Sequence, residues 1–357
     1  MAERIAPRDD IAVMEGYHSP QVSVDVRLNT NESPLPPPPA FVEAVAAAAI
    51  STAWHRYPDR GAVALRERLA EFHGVSKTQV FAANGSNEVL QTLSLAYGGP
   101  GRAIAVFEPT YAMHSQIARI TGAVVAQGTR AEDLTLDPAE VQRVIAESRP
   151  AITYLCSPNN PTGMIESRQT VLDTLDAVEA IGGLLVVDEA YGQFAPWSAL
   201  ELVDDGRSLV VTRTFSKTWS MAAARLGYLV GPSWVVDELQ KVVLPYHLDA
   251  LKQEAGRLAL DFVAEMEQRV SLLNEERGRV DAALRELPCD VWPSAANFIL
   301  FRPTTVDADV VWQELVERSV LVRNCSGWPG LQGCLRVTIG TPDEDDRFLA
   351  ALREVLT

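Results

Sequence analysis

Lys217 lies in the stretch TRTFSKTWSMAAARLG (212–227) and is one of four lysines in a chain with 27 arginines. A guanidinium stays charged in any protein setting, whereas a desolvated amine can lose its proton and become a nucleophile. An amine kept here, between hydroxyl residues and an apolar run, is a candidate for covalent chemistry. A surface lysine in a turn would account for the same stretch.

Four other polar words carry similar double readings. In VVDEAY (186–191), Asp188 follows a buried run, so its carboxylate needs a cationic partner such as a protonated pyridine nitrogen. Tyr191, three residues on, could reach another edge of that ring, although helix capping by Asp188 and core packing of Tyr191 fit equally. In SPNNPTG (157–163), turn chemistry explains Pro161 and Gly163 but not two asparagines, which leaves Asn160 as an amide donor. In ANGSNE (83–88), Ser86 and Asn87 lie where a helix N-terminus would offer N–H groups to a phosphate, or they simply cap that helix. Arg225 could clamp the same phosphate with the Thr214 and Ser216 hydroxyls, and Tyr111 in EPTY could stack on a planar ring. Taken in order, these residues form a toolkit for an aromatic aldehyde bearing a phosphate.

The elements that must position them read as a strand–helix alternation over roughly 75 to 230. The strands are continuous apolar runs, as in parallel sheets buried on both faces. That pattern predicts a doubly wound α/β domain with its polar loops at the strands' carboxyl ends. Helices are expected near 40–50 and 62–71, and from 233 to about 287 with a break at Pro245. Short strands then return as NFILFR, VLVRN and CLRVTIG. The expected division is an irregular arm over 1–40, a large domain over 41–245 and a smaller α+β domain over 246–357.

Length and charge set the outer limits. The 357 residues allow about two domains, and a net charge of −16 repels a nucleic-acid backbone or an anionic membrane. Four scattered cysteines and five single histidines suggest neither a disulfide framework nor a metal site. The charged N-terminal stretch lacks a signal-peptide core and no apolar run reaches ~18 residues, so a cytoplasmic protein is expected.

The quoted words, together with LNTNESP, RYPD, LPYHL and LRVTIGTP, resemble the histidinol-phosphate aminotransferases, fold type I pyridoxal-phosphate enzymes. The resemblance runs over nearly the whole chain. It implies that Lys217 forms the internal aldimine with pyridoxal 5'-phosphate and that Asp188 pairs with the pyridine nitrogen. Tyr191 and Asn160 would bond the ring oxygen and Tyr111 would stack on the ring. Ser86, Asn87, Thr214, Ser216 and Arg225 would hold the phosphate. Tyr57 would reach the phosphate of a neighbouring subunit, which implies a homodimer. Arg323 and Arg336 would grip the substrate, with Asn31, Tyr17 and Tyr246 in the same pocket. The implied reaction passes the amine of L-histidinol phosphate to 2-oxoglutarate in two ping-pong halves, giving glutamate, with Lys217 as the proton carrier.

Two departures bear on the substrate. Trp219 beside Lys217 is expected to reshape the pocket, and RNCSGWPGLQGC (323–334) brings Trp328 and two cysteines between the arginines. Aromatic amino-acid transamination and phosphothreonine decarboxylation are the rival activities on such a scaffold. A non-catalytic cofactor-binding module would need a broken Lys or Asp, and a nucleotide-binding loop would need a glycine-rich motif absent here.

Overall fold

The computed structural model describes residues 4–12, 14, 16 and 22–356. A first short strand, β1 (Val26–Leu28), belongs to the smaller of two sheets. The larger sheet contains β2 (Val80–Ala83), β3 (Ala103–Glu108), β4 (Val124–Thr129), β5 (Ile152–Cys156), β6 (Leu184–Asp188), β7 (Leu209–Thr214) and β8 (Gly227–Val230). Their spatial order is β2-β8-β7-β6-β5-β3-β4. β8 is antiparallel to both neighbours, while the other pairings are parallel.

Residues of the inner strands are buried on both sides because helices cover both faces. Helices α1 (Asp9–Ala12), α2 (Pro39–Ser51) and α3 (Val63–His73) precede the sheet. Ile104, Val106, Ile152, Leu184 and Val186 pack with Leu90 and Leu93 of α4 (Gly85–Tyr97) and Ile117 of α5 (Met113–Ile120). The intervening Ala105, Phe107, Leu155, Leu185 and Val187 face Val141 and Val144 of α6 (Pro138–Ser148) and Leu175 of α7 (Arg168–Ala180). The period of two along each strand thus feeds two separate cores. The chain runs from β3 out to β4 and returns to β5 on the other side of β3, which makes a topological switch point. A cleft opens at such a switch outside the strands' carboxyl ends.

The expected break at Pro245 is present, since α8 (Ser233–Val242) ends before it and α9 (Ala250–Ala259) starts after it. Leu248, Ala255 and Ala259 nevertheless pack with Phe215 and Tyr228 against the larger sheet. The handover comes inside α10 (Val263–Arg285), where Met266 joins that core, Leu273 and Val280 join the next, and Val270 touches both. A boundary at 245/246 therefore falls short of the packing.

The smaller sheet adds β9 (Cys289–Val291), β10 (Phe298–Pro303), β11 (Val320–Asn324) and β12 (Leu335–Thr338), in the order β1-β11-β12-β10-β9. It packs on α10 and on two further helices, α11 (Ala308–Glu317) and α12 (Pro342–Leu356). The irregular arm expected over 1–40 is corrected at β1, which pairs in parallel with β11. A three-residue strand is too short for an alternating pattern to announce it. β4 also escaped notice, because this edge strand is largely exposed and reads VVAQGT.

Gly227 ties the fold to the cleft. A Cβ there would lie 2.3 Å from the backbone nitrogen of Ser86, at the start of α4. Gly227→Ala must push that helix start away, at a cost of about 1–3 kcal/mol. Thermal unfolding of the variant should show a lowered midpoint, and an unchanged midpoint would contradict this packing.

Candidate active site

The cavity at the switch point holds about 380 Å³ and lies between the ends of β5, β6 and β7 and the arginine-bearing strands β11 and β12. That volume falls in the range of small-molecule sites. It is lined by Ser86, Asn87, Tyr111, Asn160, Asp188, Tyr191, Thr214, Ser216, Lys217 and Arg225, and by Asn31, Arg323 and Arg336. Residues scattered over 31 to 336 in sequence thus meet in one cleft.

Asp188 ends β6 and is 1% exposed. Its Oδ1 accepts from the Thr212 hydroxyl at 3.1 Å and the Ala190 N–H at 3.2 Å, while Oδ2 lies 2.9 Å from His114 Nε2. The next residue, Glu189, points to the other side and pairs with buried Arg213 at 2.6 Å. The alternation of the strand therefore sends one carboxylate to the cavity and one to a structural ion pair. Asp188 does not serve as a helix cap.

At the opposite end, α4 begins at Gly85 with Asn84 as its N-cap, so Ser86 and Asn87 lie inside the first turn and do not cap it. Their N–H groups belong to the set that a helix leaves without intrahelical acceptors, at the positive end of its dipole. The Asn84 side chain is turned away, donating to Glu88 and to the His247 carbonyl. Gly85 has φ +77°, and a Cβ there would lie 2.9 Å from Arg225 Nη2. Only glycine gives both the left-handed backbone and that approach. Arg225 Nη1 donates to Ser216 Oγ at 3.3 Å, which lies 3.0 Å from Thr214 Oγ1. The result is a cup of N–H, hydroxyl and guanidinium donors fitted to a phosphate.

Between these ends, Lys217 Nζ donates to the Thr30 carbonyl at 3.3 Å and sits 5.7 Å from the Tyr191 ring centre. Burial, followed by the charges of Arg336 and Arg225, lowers its pKa to about 8, against an opposing pull from Glu32. Burial pushes the Tyr191 phenol up to about 12. Asn160 accepts from Arg336 Nη1 through Oδ1, which leaves its amide nitrogen as a donor. Arg336 is buried, lies 5.0 Å over the Phe298 ring, and donates to the Asn29 carbonyl at 3.1 Å. Arg323 sits directly opposite it in the strand register and 5.5 Å over Trp328.

Some expected residues lie elsewhere. Tyr57 and Tyr246 stack on each other at 4.5 Å, and neither lines the cavity. Tyr17 falls outside the described residues. Trp219 is buried against Phe215 and Phe72 in the core, so it does not reshape the pocket, whereas Trp328 does line it. Asn31 donates to the Tyr191 hydroxyl at 2.9 Å. His114 had no assigned role in the sequence, although its place three residues after Tyr111 was a usable signal. Stacked on Tyr154 at 4.6 Å, it carries part of the Asp188 environment. Thr212 was hidden inside an apolar strand, and the Thr30 carbonyl has no side-chain signature at all.

A planar ring with a basic nitrogen, a hydroxyl-type oxygen, an aldehyde and a phosphate meets a matching partner at each of these points. The family model for class I and II aminotransferases matches residues 23–352. The chain belongs to that family, which makes it a pyridoxal-phosphate-dependent transaminase of fold type I. The histidinol-phosphate aminotransferase of Frankia casuarinae is 46% identical to it, covering 100% of this chain and 91% of the relative. That of Streptomyces avermitilis is 45% identical, with 98% and 96% covered. The crystal structure of histidinol-phosphate aminotransferase from Sinorhizobium meliloti in complex with pyridoxal-5'-phosphate is similar at a TM-score of 0.90. It covers 99% of this chain and 98% of its own at 23% identity, a likeness of fold.

The lowered Lys217 pKa has a consequence for stability. Between about 8 and the ordinary 10.5 the unfolded chain binds more protons than the folded one, so stability rises with pH across that window. Below it, burying the charged amine is a cost. Cofactor-free Lys217→Met should lose this rise, so its urea midpoint should converge with that of the wild type as pH increases from 8 to 10.5. Parallel curves would refute the lowered pKa.

Proposed function

We propose that the chain transfers the amine of L-histidinol phosphate to 2-oxoglutarate, in histidine biosynthesis, by a two-half ping-pong cycle. One observation carries the substrate choice. Arg323 and Arg336 stand opposite each other on adjacent strands beside Lys217. An anion bound between them could take charge-assisted hydrogen bonds from both side chains. Planar guanidinium groups can bind a phosphate or a carboxylate, which suits both the amino donor and the amino acceptor of such a cycle. The names of the curated relatives support the same donor.

Pyridoxal phosphate, when bound, withdraws the electrons left behind as the substrate Cα–H bond breaks. The chain's own residues divide the remaining work. Asp188 would face the ring nitrogen, with its oxygens held by Thr212, Ala190 and His114. Tyr191 and the Asn160 amide would bond the ring oxygen, and Tyr111 would cover one ring face. Ser86, Asn87, Thr214, Ser216 and Arg225 would anchor the phosphate. Lys217 would bind the cofactor's aldehyde carbon, and its amine, when free, would accept the Cα proton as a base. An amine whose pKa is about 8 can serve in both roles near neutral pH.

Tyr57 is 80% exposed and Tyr246 is 42% exposed, and they form a stacked pair outside the cavity. The exposure of Tyr57 outside the cavity fits a homodimer in which it serves the phosphate of a second copy, with Tyr246 stacked beside it. Among the described residues no helix is long and apolar enough to cross a membrane. A cytoplasmic enzyme acting on small molecules fits the proposed role. A second reading, transamination of aromatic amino acids, draws on Trp328, whose ring lines the cavity beside Arg323.

The half-reaction separates the two. The purified yellow protein is mixed with L-histidinol phosphate alone, or with phenylalanine alone, and loss of the bound-aldehyde absorbance is followed. Faster loss with histidinol phosphate is expected, and the reverse order would favour the aromatic reading. Arg336→Ala should raise KM for the phosphate donor about 10- to 100-fold through lost charge-assisted bonds. Lys217→Ala should abolish both the absorbance and turnover.

A further inference from the structure

Asn31, expected at the substrate, is turned toward Tyr191. We propose that Thr338 and Asn31 form a one-way hydrogen-bond chain that holds the Tyr191 hydroxyl hydrogen toward the cavity, making both of them positioning residues. This inference rests on the cofactor reading above, because the hydrogen so aimed serves the cofactor's ring oxygen.

The direction follows from groups that can act in only one way. The backbone N–H of Asn31 can only donate, and it does so to Thr338 Oγ1 at 3.0 Å. Thr338 then gives its single hydroxyl hydrogen to Asn31 Oδ1 at 3.1 Å. That bond fixes the amide, with its oxygen on Thr338 and its nitrogen on the Tyr191 hydroxyl at 2.9 Å. An amide nitrogen only donates, so the phenol oxygen accepts and its own hydrogen is left for the cavity that Tyr191 lines. Asn297 Nδ2 bonds the Asn31 carbonyl at 3.2 Å and holds the segment in place. Asn31, Thr338 and Tyr191 are at most 4% exposed, so water does not compete for these bonds. The raised Tyr191 pKa keeps the phenol protonated at neutral pH.

The chain also joins the two sheets. Thr338 is two residues beyond Arg336 on β12, on the same side of the strand, while Tyr191 follows β6 of the larger sheet. The strand that would grip the substrate therefore also sets the orientation of a group on the cofactor side. Asn31 has φ +55°, a left-handed conformation that Asn and Asp both tolerate.

Asn31→Asp keeps the size and the backbone but replaces the donor with an acceptor, so the Tyr191 hydrogen turns away from the cavity. In the holoenzyme kcat should fall about 10- to 100-fold, the scale of a misdirected bond to a charged group. KM for the phosphate donor should stay within about twofold, since no bond to substrate is removed. The pH midpoint of the bound-cofactor absorbance should also shift. In a Tyr191→Phe background, Asn31→Asp should cost nothing further. The same loss in both backgrounds, or an effect on KM alone, would overturn the proposal and return Asn31 to the substrate. Thr338→Val and Thr338→Ser test it a second way. The valine should lower kcat about fivefold and the serine should restore it, as one neutral hydrogen bond requires. Equal impairment of both would mean packing and overturn the proposal. A wild-type chain with no cofactor absorbance would overturn the underlying reading itself.

Discussion

A carboxylate buried at the end of a central strand is the constraint to which most of this molecule answers. Burying a polar side chain such as Asp188 without hydrogen-bond partners would cost several kcal/mol. Three donors hold it, each supplied by a different part of the fold: Thr212 by the neighbouring strand β7, Ala190 by the turn after β6, and His114 by α5. His114 can reach β6 only because its own helix follows β3 and packs over the sheet, stacking the imidazole on Tyr154 of β5. The strand order that creates the switch point therefore also supplies the hydrogen-bond partners of Asp188.

A second constraint acts where the two sheets meet. The extended segment after β1 offers its carbonyl groups to both domains: Asn29 accepts from Arg336, and Thr30 accepts from Lys217. These are the two cations that the proposed chemistry must redirect, one to a carbonyl carbon and one to a substrate anion. Holding them on backbone oxygens meanwhile satisfies donors that would be expensive to bury alone. Each is then released in exchange for a new partner, so the net change in hydrogen bonding is small.

How much of this was legible in the sequence depended on the kind of signal. The parallel sheet showed itself because strands buried on both faces must be continuously apolar, as LLVVD and LVVTRT are. The cavity residues showed themselves as polar words interrupting those runs. β1 and β4 were missed because a three-residue strand and an exposed edge carry no such contrast. A proline break near 246 is a local signal, whereas membership of a core changes along α10, where Met266 packs with one cluster and Leu273 with the next. Trp219 illustrates a further limit. Nearness to Lys217 in sequence suggested the pocket, but the chain turns over 217–220 and directs Trp219 into the core beside Phe72 and Phe215. Thr338 and Asn31 show the converse, since residues 307 apart in sequence meet only because β1 pairs with β11 and β11 with β12.

The charge of the chain and the charge of its cleft have opposite signs, and this shapes which ligands it can select. The net charge of −16 makes approach unfavourable for anions over most of the surface. The cavity, however, is lined by Lys217, Arg225, Arg323 and Arg336 against two carboxylates, Asp188 and Glu32. A cleft of one sign with low-dielectric walls concentrates the field toward its opening. The cations also sit in two separate groups, Arg225 at the helix start and the arginine pair across the cavity. Arg225 and the α4 N–H groups suit the cofactor's phosphate, which leaves the arginine pair for a second anion. An amino acid with a neutral side chain brings one carboxylate and would leave much of that positive charge unanswered. A phosphate monoester or a dicarboxylate supplies enough negative charge to balance it. The physical case for a phosphorylated amine and a dicarboxylate as substrates thus lies in two arginines brought into one cavity from directly opposed positions of adjacent strands.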